Sequence, residues 1–263
     1  MRIVVPLKAV PDLVEEIEFT ADETAIDPEY LKFVLNEWDA QALEEALLLK
    51  DAVSAEVFVV GLASDPEIDQ ILYTALAKGA DTAVKLVDAE QTPARGPSGI
   101  RLADRAALIA GYLANEPAEL VITGVQASDD LDGQLPSKLA ALLGLPHVSV
   151  VVSVEAGDGS MIVRQEFSNG RSHELQVQTP AVIGVQSAHQ PPRYAPISRI
   201  RQAMQSGEIE ELAISPAPTA AGLVVRRMYR PEQGGQAEML TGTPGEVAEQ
   251  IIGLLRARGL VKG

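Results

Sequence analysis

The feature that most constrains this chain is an alternation along its first half. Four largely apolar, strand-like runs, Arg2 to Lys8, Glu56 to Leu62, Thr82 to Val87 and Leu120 to Thr123, are each followed in turn by a segment of helical period. Apolar runs without a polar beat belong to strands buried on both faces of a parallel sheet. The first helix is predicted over Ala40 to Lys50, with Asn36 or a neighbour as N-cap. The second is capped by Ser64 or Asp65, carries Pro66 at its first position and stops at Gly79. The third follows a Ser98 cap and runs to Leu113, and the fourth carries leucines at 135, 139, 142 and 143. Strand, helix, strand in that order implies right-handed crossovers and a parallel sheet.

Two stretches break the alternation. The polar segment Asp12 to Tyr30 contains Glu15-Glu16-Ile17-Glu18-Phe19, which alternates like an exposed hairpin strand. Beyond Pro146 come short β-like runs, Val148 to Val154, Met161 to Phe167 and Glu174 to Gln178, separated by Gly157-Asp158-Gly159-Ser160 and Ser168-Asn169-Gly170. Those are hairpin turns, so an antiparallel meander is predicted after the parallel half. Pro180 to Val185 reads as one more central strand, and Ile197 to Gln205 as a short helix. From Glu208 to Gln236 prolines and glycines dominate, which reads as an arm. A last helix starts at Thr243-Pro244-Gly245-Glu246, a capping box with Pro at N1, and runs to about Ala257. The expected division is an α/β domain over 1–200 and an extended C-terminal arm with a terminal helix over 201–263.

Composition narrows the function classes. The formal charge of −16 disfavours nucleic acid or an anionic membrane as partner. No cysteine is present, so disulfides, thiolate metal sites and cysteine nucleophiles are excluded. His147, His173 and His189 are not at metal-ligand spacing; no metal site is expected. The first apolar run is too short for a signal peptide or a membrane span, so a cytoplasmic address without direct membrane insertion is expected. The G-x-G-x-x-G, P-loop and G-x-S-x-G signatures are absent, and no residues are nominated as catalytic.

One join in the alternation carries more chemistry than the others. In Val121 to Pro146, VITGVQASDDLDGQLPSKLAALLGLP, a strand meets a helix through a loop of glycines and three aspartates. Pro136 fits the first helical turn, where few hydrogen bonds are lost. Unpaired amides and the helix dipole meet at that point and favour an anion such as a phosphate. The same residues equally describe a capped turn. Asp129, Asp130 and Asp132 would repel a phosphate they faced, so they are expected to cap amides, accept from ribose hydroxyls or face water.

Five segments in register resemble the β subunit of electron transfer flavoproteins, the FixA family. They are the opening strand ending in Lys8, Asn36-x-x-Asp39 before ALEEALLLK, TALAKGAD at 74–81, GVQASDDLDGQ, and PAVIGVQSAHQPPRYAP at 180–196. The resemblance covers almost the whole chain. It implies a three-layer sandwich with a mainly parallel sheet, Rossmann-like and of the adenine nucleotide alpha hydrolase type. It also implies a nucleotide, AMP or a second FAD, in a pocket made by Pro6, Asn36, Glu37, Trp38, Asp39 and Ala63. The far wall of that pocket would be Gly124, Gln126, Ser128, Asp129, Asp132, Gly133, Gln134 and Leu135, and most of these positions follow strand carboxyl ends. Backbone amides of Gly133 to Leu135 would face the phosphate.

The resemblance further implies a heterodimer with an α subunit that holds the redox-active FAD, and Glu166 near that flavin. His189, Pro192, Arg193 and Tyr194 would recognise a redox partner, a dehydrogenase or quinone reductase. The chain departs from the family at Gln134-Leu135-Pro136, which lacks a hydroxyl where many members have Gln-Thr-Gly, at His189, and at Leu13 in place of an aromatic. The expected role is a non-catalytic electron carrier subunit. The alternative is a stand-alone adenine-nucleotide-binding sensor or hydrolase of the same fold.

Overall fold

A computed structural model describes residues 1–14, 16–29, 31–91, 102–130, 133–218, 225–231, 237 and 239–261. The elements in chain order are β1 (Arg2–Pro6), β2 (Ala9–Pro11), β3 (Phe33–Leu35), α1 (Glu37–Ala52), β4 (Glu56–Leu62), α2 (Ile68–Lys78), β5 (Thr82–Asp88), α3 (Leu102–Asn115), β6 (Leu120–Gly124) and α4 (Leu135–Leu143). There follow β7 (His147–Ala156), β8 (Met161–Phe167), β9 (Arg171–Val177), β10 (Ala181–Val185), α5 (Ile197–Ser206), β11 (Ile209–Ile214) and α6 (Pro244–Ala257).

Nine strands form one sheet in the order β11-β5-β4-β1-β6-β10-β7-β8-β9. Pairing is parallel from β11 to β7 and antiparallel from β7 through β9. The apolar runs are buried on both faces, as their composition requires. Ile3 and Val5 point into one core with Leu43, Leu47 and Leu72 of α1 and α2; Val4, Val121 and Val182 point into the other with Ile109, Tyr112 and Leu139 of α3 and α4. Helices cover both faces, which makes three layers.

Several local expectations were displaced by tertiary demands. Helix α2 begins at Ile68 with Glu67 as N-cap, because the Asp65 carboxylate is committed to Arg105 and cannot cap. The Ser98 cap lies outside the described residues. The polar segment after β1 closes through a single bridge between Phe19 and Ile26, while the two-stranded sheet is built by β2 and β3 around it. Part of the expected arm is an edge strand: β11 pairs in parallel with β5 along six residues, Ile209 to Ile214.

The chain comprises two compact units, Met1–Met228 and Tyr229–Gly263. In the second, α6 begins with the capping box read from the sequence. The Thr243 hydroxyl accepts from the Glu246 amide, and the Glu246 carboxylate accepts from the Thr243 amide at 2.7 Å.

Candidate functional site

The carboxyl ends of β1 and β6 sit side by side, and the N-terminus of α1 packs across them. Asp39 is the joint. Its two carboxylate oxygens accept from the Lys8 amide at 2.9 Å and the Gly124 amide at 3.2 Å. A side chain at 124 would collide with that carboxylate and with the Trp38 backbone, so close approach demands glycine. Asp39 is 4% exposed. Burial pushes its pKa up to about 7 and outweighs Asn36, the Lys8 amide and the charges of Arg105 and Lys8, which pull it down.

Asn36 is the N-cap of α1 by position, yet its side chain does not cap. Its amide group donates to the Gln126 carbonyl at 2.9 Å and so ties α1 to the loop after β6. Asn36 is 2% exposed and its Oδ1 has no partner among the described residues. The Ser128 hydroxyl is in the same state. An unmet buried acceptor is costly, and a ligand N–H or O–H would relieve it. Loop residues 127–130 form a tight turn through two bonds between Ala127 and Asp130. The loop returns at Gly133, φ +63°, where a Cβ would lie 2.8 Å from the Val125 carbonyl oxygen. Helix α4 then starts, with Pro136 in its first turn. The amides of Gln134, Leu135 and Ser137 precede the first intrahelical donor, the Lys138 amide.

Asp129 does not stand as a bare acid. Asp129 pairs with the Lys8 ammonium at 2.5 Å. Beneath them Arg105, a residue of α3, is buried and forms a two-bond pair with Asp65, at 2.9 and 2.5 Å. Lys8 and Arg105 both line a cavity of about 20 Å³, together with Asn36, Asp39, Gly124 and Leu135. An open cleft of about 270 Å³ shares Gln126 and Gly133 with it and is walled by Trp38, Ser149, Val150 and Gln186. The inner cavity is water-sized; the bulk of any larger ligand belongs in the cleft. Val150 adopts φ +64°, a strained state for a β-branched residue.

Of the residues named from the sequence, Asn36, Asp39, Gly124, Gln126, Gly133 and Leu135 line the inner cavity, and Trp38 lines the cleft. Ser128, Asp129 and Gln134 lie in the same loop. Pro6 is buried at the end of β1, while Glu37 and Ala63 are exposed and border neither opening. Asp132 lies outside the described residues. Glu166 is exposed on β8, opposite Ser172 of β9, and lines neither opening. His189 and Arg193 turn inward onto α1, whereas Tyr194 is 79% exposed. Sequence reading missed Arg105 as a lining residue. Only the three-dimensional pairing of α3 with the loop after β4 reveals it.

This geometry defines a class: a three-layer α/β protein whose inner cavity and open cleft gather at strand carboxyl ends beside a helix N-terminus. Residues 24–217 match the electron transfer flavoprotein domain. The electron transfer flavoprotein subunit beta of Methylophilus methylotrophus is 33% identical over 97% of this chain and 98% of its own length. The caffeyl-CoA reductase-Etf complex subunit CarD of Acetobacterium woodii is 30% identical over 99% and 100%. Subunit beta from Clostridium acetobutylicum is 29% identical over 97% and 98%. The chain belongs to the electron transfer flavoprotein family and aligns end to end with its β subunits. No helix among the described residues is long and apolar enough to cross a membrane.

Proposed function

We propose that this chain is the β-type subunit of a heterodimeric electron carrier and holds an adenine nucleotide, AMP or a second FAD, at the ends of β1 and β6. One observation carries the nucleotide reading: Asn36, whose buried Oδ1 has no partner among the described residues, lines the inner cavity beside the open cleft. An acceptor without a donor suits a ligand that brings an N–H or O–H group to that point. Gly124 and Gly133 leave room for close backbone approach, and the first amides of α4 stand at the loop's end for a phosphate.

In this reading the residues bind and orient, and make no bonds. Asn36 receives a donor from the ligand, the first amides of α4 face its phosphate, and Trp38 and Gln126 wall the cleft. A flavin held mainly by the α subunit supplies the redox chemistry. Glu166 lies on the edge facing that flavin, the terminal helix of segment 201–263 docks on the α subunit, and Pro192 and Tyr194 meet a dehydrogenase or quinone reductase. The compartment is cytoplasmic.

Co-expression with an α-type partner chain tests the assignment. A yellow complex with flavin absorbance and both chains in equal amounts is expected. A colourless, stable monomer that never captures the partner contradicts it, and turnover of AMP or ATP by the isolated chain replaces it with the hydrolase reading.

A further inference from the structure

Helix α1 forms part of the pocket wall at one end and anchors a distant loop in its next turns. Asn36 and Asp39 occupy the pocket end, bonded to Gln126, Lys8 and Gly124. Gln41, Glu44 and Glu45 follow at spacings that share one helix face. All three accept hydrogen bonds from loop 186–196. Gln41 Oε1 receives the Ala188 amide at 2.9 Å. The Glu45 carboxylate receives the His189 amide at 3.2 Å and stands 2.9 Å from His189 Nδ1. The Glu44 carboxylate receives the Arg193 amide at 2.7 Å and its Nε at 2.9 Å. The loop contains neither helix nor strand, so these bonds set its course. It presents Tyr194 outward, 79% exposed, and leads to Ile197, 63% exposed.

Glu44 and Glu45 are 3% and 0% exposed. A loop that opened alone would forfeit the bonds from His189 and Arg193 to these carboxylates, and Glu45 would keep the Val154 amide of β7, at 2.5 Å. Opening the loop together with the helix keeps those bonds.

We propose that α1 couples the pocket to loop 186–196: a nucleotide that bonds to Asn36 fixes the first turn of α1, and α1 through Gln41, Glu44 and Glu45 fixes the loop. The inference rests on the nucleotide reading above. A ligand that binds only when the first turn is in place suppresses every opening that displaces that turn, by a factor of 1 plus its concentration over its Kd. The loop's order then reports pocket occupancy, and a partner that docks on Tyr194 meets a firmer surface when the pocket is full.

Amide hydrogen exchange on the full chain, with AMP as the probe, tests this. At about 100 times the Kd of AMP, exchange is expected to slow about tenfold or more in 186–196, alongside 36–46. Protection of 36–46 with 186–196 unchanged overturns the coupling and leaves the nucleotide reading intact. Protection of neither segment, by AMP or in a parallel run by FAD, overturns both. In the variant that combines Gln41→Ala, Glu44→Ala and Glu45→Ala, AMP is expected to protect 36–46 but no longer 186–196. Protection of the loop that survives in that variant contradicts the route through α1, and the wild-type comparison decides the coupling without it.

Discussion

Asp39 holds its proton up to about pH 7 in the folded chain, against an ordinary value of 3.8. Between those values the native state binds the extra proton, so unfolding free energy falls as pH rises. The loss accumulates from about pH 4 to about pH 7 and amounts to roughly 4 kcal/mol once both states are ionised. In Asp39→Asn that slope is removed. Urea midpoints measured from pH 5 to pH 8 are therefore expected to fall more steeply for the wild type than for the variant; parallel curves would show that Asp39 is already ionised at the acid end. Arg105 gives a second test at this scale. Arg105→Met leaves Asp65 buried without its partner and is expected to cost about 3–5 kcal/mol, most of which Asp65→Leu in the same chain restores. A single variant as stable as the wild type would mean that the pair is not the buried ion pair described.

The loop between β6 and α4 and the helix α1 are the elements on which the site depends. Gly133→Val puts a branched side chain at φ +63° and within 2.8 Å of the Val125 carbonyl. Nucleotide retained through purification is expected to drop at least about tenfold, as strain of ~1–3 kcal/mol falls on the turn that shapes the opening; unchanged content would place the ligand elsewhere. Much of this was legible in the sequence. Strands buried on both faces announce themselves by uninterrupted apolar runs, and the capping box at Thr243 fixed the start of α6 because its partners are three residues apart. Edge and tertiary features were not legible. Strand β11 reads IEELAI with half its surface wet, and β2 and β3 have three residues each, too few for a period. Arg105 sits in a helix whose pattern is that of any amphipathic segment, and only its meeting with Asp65, 40 positions earlier, makes it part of the pocket. Likewise nothing in the helical pattern of ALEEALLLK sets Glu44 and Glu45 apart, yet both are buried against loop 186–196.

At the scale of the molecule, the two compact units make separable claims. Removing residues 229–263 is expected to shift the melting temperature of the first unit by no more than about 2–4 °C, the equivalent of roughly 1 kcal/mol at this size. Capture of the α-type partner is expected to fall sharply in the same truncation. Insolubility of the truncated chain would make the terminal unit part of the fold. The net charge of −16 adds that partner capture should weaken as salt rises if the contact surface of the partner is basic. The central claim is that this chain holds a nucleotide of its own, apart from the flavin of its partner. Mass spectrometry of ligands released by heat from the purified complex, counted against protein, tests it directly. One AMP with one FAD per heterodimer, or two FAD, is the predicted result; a single FAD with no second adenine nucleotide would contradict it.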